Sequence, residues 1–232
     1  DELKQTVNTV IPGKISGRLD AGLTSTQTTS STTQIITTGN FTIKNAPNTY
    51  DVKGFYYYTA STAADGSTSR SADRYGGDAT YRRDFDDRLF FSDEGGYLRD
   101  FQANIDHQGQ DTASLGYILW KSKNLELDVQ SGPSERYTDA DGVAQKWRTL
   151  GGGKETLAWE FSDSLRLEQQ VHALAQVDEF RNQAWGMSAA LINQLDRNLE
   201  LSLKFSQSYN AIVGLNGARS EQVIALVLGV TF

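Results

Sequence analysis

The stretch Glu221-Gln222-Val223-Ile224-Ala225-Leu226-Val227-Leu228-Gly229-Val230-Thr231-Phe232 (EQVIALVLGVTF) decides how the rest of this chain is read. It is strand-length, rich in aliphatic and β-branched residues, and it stops on an aromatic. Outer-membrane barrels close on a last strand of this kind, with lipid-facing residues alternating with lumen-facing ones and a final aromatic at the membrane boundary. A soluble domain rarely leaves Phe free after so apolar a strand.

The composition agrees with a barrel. The 232 residues include 21 Gly, 10 Tyr, 10 Phe and 4 Trp but only 3 Pro, 1 Met and no Cys, which is strand and turn chemistry rather than helix chemistry. The lack of Cys excludes a disulfide framework or thiolate metal site and is compatible with an oxidising periplasm. A net charge of −7 with no basic arm argues against nucleic acid as a partner. No run of 18 apolar residues exists, so no transmembrane helix is expected. The negative mean hydropathy does not imply solubility, because only alternate residues of a spanning strand meet lipid. Asp1 is followed by no charged and apolar leader, so the expectation is that a signal peptide has already been removed.

Turn signals cut the chain into about twelve strand-length pieces at 13–25, 32–44, 49–60, 72–84, 88–101, 110–121, 124–134, 146–160, 164–176, 183–193, 198–210 and 221–232. The connections Asn45-Ala46-Pro47-Asn48, Phe85-Asp86-Asp87, Lys121-Ser122-Lys123, Phe161-Ser162-Asp163 and Gln194 to Arg197 are short. Those near 26–31, 61–71, 102–109, 135–145, 177–182 and 211–220 are longer and polar. This predicts an all-β fold: an up-and-down antiparallel transmembrane β-barrel over residues 13–232, with short periplasmic turns and longer extracellular loops. Residues 1–12 are expected to form a short periplasmic N-terminal segment, and both termini to lie in the periplasm, placing the protein in a bacterial outer membrane.

Period-two alternation supports the assignment. Leu199, Leu201, Leu203 and Phe205 oppose Glu200, Ser202, Lys204 and Ser206; Leu125, Leu127 and Val129 oppose Glu126, Asp128 and Gln130; Ile15, Leu19, Ala21 and Leu23 oppose Lys14, Arg18 and Asp20. Soluble sandwiches alternate too, so the loop asymmetry and the aromatics decide. Tyr50, Phe85, Phe91, Trp120, Trp159, Phe161 and Phe232 fall near the short-turn ends, and Tyr58, Tyr75, Phe101, Trp147, Trp185 and Tyr209 near the long-loop ends. Two such belts are expected at the two membrane interfaces.

Ordered blocks resemble a known family. Ser71-Ala72-Asp73-Arg74-Tyr75 precedes Phe85-Asp86-Asp87-Arg88-Leu89-Phe90-Phe91; LDVQSGPSERY (127–137), Phe161-Ser162-Asp163-Ser164-Leu165 and Leu228-Gly229-Val230-Thr231-Phe232 follow. Together they resemble the YdiY-like family of salt-induced outer-membrane proteins, a domain-of-unknown-function family, over about residues 13–232. The first hairpin departs from the family pattern, with STQTTSSTT (25–33) in place of a Gly-Asn-Ser-like tip. The resemblance implies an outer-membrane barrel and no established activity.

If each polar face turns inward, the lumen receives Lys14, Arg18, Lys53, Arg74, Arg82, Arg148, Lys154, Arg166 and Lys204 together with Asp20, Asp51, Asp78, Glu94, Glu126, Asp128, Glu160, Glu168 and Glu200. The two signs nearly cancel, and ions out of water must pair because an unpaired one costs several kcal/mol. The expectation is therefore a non-enzymatic barrel with a structural or protein-interaction role and an ion-paired lumen. A narrow channel for small hydrophilic solutes is the alternative, and an outer-membrane hydrolase the remote one. The strand count lies between filled and open barrels and does not decide.

Chemistry-bearing residues are sparse. His172 could meet Ser188 or Ser202 as a hydrolase pair, and His107 has Asp106 and Asp111 nearby, but a hydrogen-bonded lumen histidine and a loop histidine are the preferred readings. Tyr137-Thr138-Asp139-Ala140-Asp141-Gly142 and Asp178-Glu179 read as solvated turns rather than calcium loops, since later ligands are missing. Gly151-Gly152-Gly153 reads as relief of crowding in a curved strand rather than a phosphate cradle. No catalytic residue, metal or cofactor is expected. The expected partners are outer-membrane lipid and lipopolysaccharide, and transiently the barrel-insertion machinery. Strict alternation also puts Asp93 and Glu155 on the lipid side. A bulge or a depth near the interface is expected there; the alternative is a partner protein docked on the outer wall.

Overall fold

The computed structural model describes residues 14–27, 31–62, 65, 67–180, 182–217 and 219–232; the expected leader at 1–12 lies outside the described residues. Twelve strands follow one another: β1 (Lys14–Gln27), β2 (Ser31–Asn45), β3 (Asn48–Thr62), β4 (Thr68–Asp84), β5 (Leu89–Asp100), β6 (Ile105–Lys121), β7 (Leu125–Ala140), β8 (Lys146–Glu160), β9 (Leu165–Gln176), β10 (Gln183–Asp196), β11 (Leu199–Asn210) and β12 (Ser220–Thr231). Each pairs antiparallel with its sequence neighbour, and β1 pairs with β12, closing an up-and-down barrel. In hydrocarbon every backbone N–H and C=O must find a partner within the protein, and closure is how a sheet achieves this.

Side chains sort by parity. On β12, Ala225 and Val227 (1% exposed) point inward while Ile224, Leu226 (59%), Leu228 and Val230 stand on the outer wall. On β11, Glu200 and Ser202 are buried inside while Leu203 is exposed. Ring pairs cover the outer wall near both rims: Tyr50 with Tyr81 across strands and Trp159 with Phe161 along the end of β8 at the short-turn end, Tyr137 with Trp147 and Trp185 with Tyr209 across strands at the long-loop end. Such amphipathic rings suit a water–lipid boundary. At one short turn Asp86 accepts the Leu89 and Arg88 amides, both at 2.7 Å, which holds its carboxyl below the usual range.

The structure departs from the sequence expectation at three places. First, the expected loops 102–109 and 135–145 are largely strand, because β6 begins at Ile105 and β7 runs to Ala140. The inner face stays buried there but is largely polar, with Gln108, Arg136 and Thr138 inside while His107 and Glu135 stand outside, so the sequence loses its alternation while the ladder continues. Second, Asp93 and Glu155 do face outward, but no bulge accounts for them: the β5 register is continuous from Leu89 to Leu98 and that of β8 is unbroken against both neighbours. Asp93 is the register partner of Tyr81, a ring near the short-turn rim, and Glu155 lies in the half of β8 that leads to that rim. Third, the inner face is not uniformly polar, since Ile36, Phe90, Ile118, Leu150 and Ile192 are buried there among the charges.

The β1–β12 seam is the shortest in the sheet. It has four register pairs, Arg18–Thr231 to Ala21–Leu228, against eleven between β11 and β12. Two further hydrogen bonds, between the Gly17 and Phe232 backbones in both directions at 3.0 Å, extend it to the terminal residue. Gly17 is needed there, since a Cβ would stand 2.4 Å from the Phe232 ring. Side chains then bridge β1 to β11 over the top of β12. Arg18 pairs with Glu200 at 2.8 Å and Lys204 with Asp20 at 2.5 Å. They can cross only because position 229 has no side chain: a Cβ on Gly229 would lie 2.2 Å from Asp20 Oδ1.

Gly229→Leu is therefore expected to displace this bridge and lower the unfolding free energy by about 3 kcal/mol, the cost of stranding a buried charge; urea titration of the barrel in lipid vesicles measures it. Replacing Asp93 or Glu155 by Leu should have the opposite sign, stabilising by about 1 kcal/mol in the same assay if lipid covers that wall.

Candidate functional site in the barrel lumen

Inward parity places every residue of the expected charge network on the lumen side of the register, but the residues do not all meet. The largest group lies toward the short-turn end. Arg18 binds Asp20 (2.7 Å) and Glu200, Arg166 binds Glu200 (2.7 Å) and Glu168 (3.0 Å), and Lys204 binds Asp20. Thr38 donates to Asp20 at 3.0 Å, and Arg18 donates to Ser202. Four strands, β1, β2, β9 and β11, are stitched together by this one cluster.

Other pairs cross the interior. Lys154 on β8 pairs with Glu94 on β5, and Arg74 on β4 pairs with Glu221 on β12 and Asp100 (3.7 Å). Arg82 reaches Asp84 (2.8 Å) and Asp128 (3.6 Å), its guanidinium 3.7 Å from the centre of the Phe90 ring. Lys53 and Asp51 pair at 3.3 Å. Lys14, Asp78, Glu126, Arg148 and Glu160 form no ion pair among the described residues, so the expectation of complete pairing fails at these positions. Lys14, Glu126 and Glu160 are on the short-turn ends of their strands, where water solvates them.

Sequence reasoning missed Asp84, Asp100, Arg136 and Glu221. Glu221 has the inward phase of Val223 and Val227 and could have been counted from alternation. Asp100 has the inward phase of Glu94 within the expected strand 88–101 and could have been counted in the same way, whereas Arg136 lies in the expected loop 135–145.

The candidate catalytic groups are not assembled. His172 pairs in register with Lys154 and Gly186, its ring lying over the glycine, while Ser188 pairs with Gln170 and Ser202 is bonded by Arg18. His107 is on the outside, 2.8 Å from the Tyr97 hydroxyl, and Asp106 belongs to Arg99 at 3.7 Å. Among the described residues no group of three His, Cys, Asp or Glu side chains could hold a metal. Asp139 is strand, accepting from Gln145 Nε2 at 2.6 Å, and Gly152 sits where a Cβ would be 2.0 Å from the Ala173 carbonyl.

Between the ion pairs the lumen is open. A chamber of about 560 Å³ spans it from Arg18 and Thr38 to Glu168 and Lys204. A second, about 250 Å³, shares Phe55, Asp78, Glu94, Lys154 and Gln170 with the first. A third of about 110 Å³ near the long-loop rim shares Arg74, Leu98, Gln108, Arg136 and His172 with the second. Above it, residues 211–217, between β11 and β12, cross the mouth to the opposite wall. Gly214 N donates to the Ala103 carbonyl (2.8 Å), Leu215 N to Asp141 O (2.6 Å), and Asn104 Nδ2 to Leu215 O (2.6 Å). Val213 and Val143 pack on Ala103, Ile105 and Ala140. Gly214 permits the approach, since a Cβ there would be 2.3 Å from the Asn104 carbonyl oxygen.

A closed twelve-stranded sheet with an apolar exterior and an ionic interior is a transmembrane barrel of the outer-membrane type. A family model described as "Protein of unknown function, DUF481" matches residues 19–232. The chain belongs to the DUF481 family. The DUF481 barrel is similar in fold to the translocator domain of the autotransporter NalP from Neisseria meningitidis, at 9% identity and a TM-score of 0.50, covering all of this chain and 93% of that one. It also matches the NanC porin at 11% identity and a TM-score of 0.49, covering 94% of this chain and 99% of that one. No curated protein matches the sequence.

Glu94→Gln should leave Lys154 uncompensated across the DUF481 lumen and destabilise the barrel by roughly 2 kcal/mol, whereas the pair replacement Glu94→Gln with Lys154→Met should recover most of that loss. Unfolding of the three variants in lipid vesicles, combined as a double-mutant cycle, checks it.

Proposed function

We propose that this DUF481 protein is a non-enzymatic outer-membrane barrel that passes small hydrophilic solutes through a narrow lumen of mixed charge. The observation that carries the reading is the series of three adjoining chambers between the cross-lumen ion pairs, each lined from facing walls. A lumen serving only as an anchor would gain stability from side chains that filled this space. Mixed-sign rings around such a path suit small polar solutes and disfavour large or greasy ones.

The rim bearing residues 211–217 faces outward in this reading, and the short-turn rim, where β1 begins and β12 ends, faces the periplasm, following the general plan of such barrels. The order of the blocks at 71–75, 85–91 and 161–165 supports placing the protein with the YdiY-like members. A second reading has one observation in its favour: Asp93 and Glu155, facing outward and without an ion pair among the described residues, would suit a partner protein docked on the wall. Chemical cross-linking in native membranes separates this from lipid contact.

In planar bilayers the purified barrel is expected to show small, discrete unitary conductance. Gly214→Val, which cannot seat residues 211–217 against Asn104, should raise that conductance at least twofold. A silent bilayer for both proteins would refute the channel.

A further inference from the structure

We propose that the long-loop half of the lumen contains a binding site for a small oxyanion, a carboxylate or phosphate, centred on Arg136. As a station on a solute path the site rests on the channel reading above, but its occupancy is a separate matter.

The arginines of the lumen differ in how their charge is met. Arg18, Arg74, Arg82 and Arg166 all face the lumen and each has a carboxylate within ion-pair distance. Arg136 is more deeply buried than any of these, at 5% exposure, and has none among the described residues. Its Nε and Nη2 both donate to a single neutral oxygen, Gln110 Oε1, at 2.8 and 2.6 Å. A guanidinium has five N–H donors in a planar fork that fits a carboxylate or phosphate in two-point fashion, and here most of that capacity is unused.

The surroundings increase the surplus of positive charge. Arg148 stands directly opposite Arg136 in the β7–β8 register, also buried, donating only to the backbone carbonyls of Ala144 (3.0 Å) and Lys146 (3.4 Å). Like charges facing each other across a ladder repel, and a buried cation without a carboxylate partner is costly, so a negative group placed between them would be favoured. Glu179 acts on Arg148 but makes no ion pair with it. Around the 250 Å³ chamber the cations Arg74, Lys154 and Arg136 face two carboxylates, Asp78 and Glu94. Around the 110 Å³ chamber Arg74, Arg136 and Arg219 face Asp100 and Glu221, both already taken by Arg74.

An independent observation marks the same place. Gln108, one register step beyond Gln110 on the same face, lines both chambers, is 9% exposed, and its Oε1 has no hydrogen-bond donor. Its register partner Thr138, fully buried, also has a hydroxyl without a partner. A ligand that carries hydroxyl donors beside its anionic group would satisfy Gln108 while its charge meets Arg136. The chemistry selected is thus a small hydroxylated acid or a phosphate rather than a neutral sugar or a cation.

The test uses the whole barrel in detergent micelles and titration calorimetry with three probes: sodium gluconate, inorganic phosphate and glucose. Saturable binding of gluconate or phosphate, with glucose inert, is the expected result; the stronger of the two anions identifies the group as carboxylate or phosphate. Arg136→Gln should weaken binding at least tenfold and Arg136→Lys should restore only part. Gln108→Glu, nearly isosteric, places a carboxylate beside the guanidinium and should compete with the probe by at least tenfold, which keeps the test decisive if Arg136→Gln fails to fold. The site is overturned if neither anion binds, or if Arg136→Gln or Gln108→Glu binds as well as the parent. Anion binding with a silent bilayer would retain the site and remove the channel; conductance without anion binding would do the reverse.

Discussion

Closure of the sheet between β1 and β12 is the constraint on which the rest of the molecule depends. An open strand edge in hydrocarbon would leave a row of unpaired backbone groups, each costing several kcal/mol, so the barrel exists only if its first and last strands meet. They meet over a short ladder with four register pairs, finished by the reciprocal bonds of Gly17 and Phe232. The ionic bridge from Arg18 and Asp20 to Glu200 and Lys204 passes over Gly229 and ties β1 to β11, adding a second tier of closure inside the lumen. The charge cluster therefore acts in the architecture as well as in the passage, and its members cannot be varied independently.

Two halves of the lumen follow from that arrangement. Toward the short-turn end, charges are compensated in a dense network and apolar side chains such as Phe90 and Ile192 fill the gaps. Toward the other end, Arg136 and Arg148 stand without carboxylates beneath the segment that crosses the mouth. Stability resides in the compensated half. The uncompensated half carries a standing electrostatic cost, and groups that bear such a cost are where binding is expected.

The outer wall shows the reverse economy of charge. Apolar side chains and aromatic pairs cover it near both rims, so lipid contact itself holds the barrel at its depth. Asp93 and Glu155 interrupt that surface with an unbroken register on both sides.

Sequence alone determined the strand number, the antiparallel order and the inward or outward side of nearly every residue, because side-chain direction in a strand has a period of two and lipid enforces it. EQVIALVLGVTF (221–232) and the alternation at 199–206 gave the period, and the turn signals and alternating connection lengths along the chain gave the count and order. The strand ends at 105–110 and 135–140 were not legible, since polar residues occupy both faces there, Gln108, Arg136 and Thr138 buried inside and His107 and Glu135 outside, and the pattern resembles loop. Which inward charges would pair was equally hidden: Arg74 with Glu221 and Lys154 with Glu94 join strands that are distant along the chain and not neighbours in the sheet. Only the closed tertiary structure, by fixing which walls face each other at which height, decided that Arg18 would be neutralised and Arg136 would not.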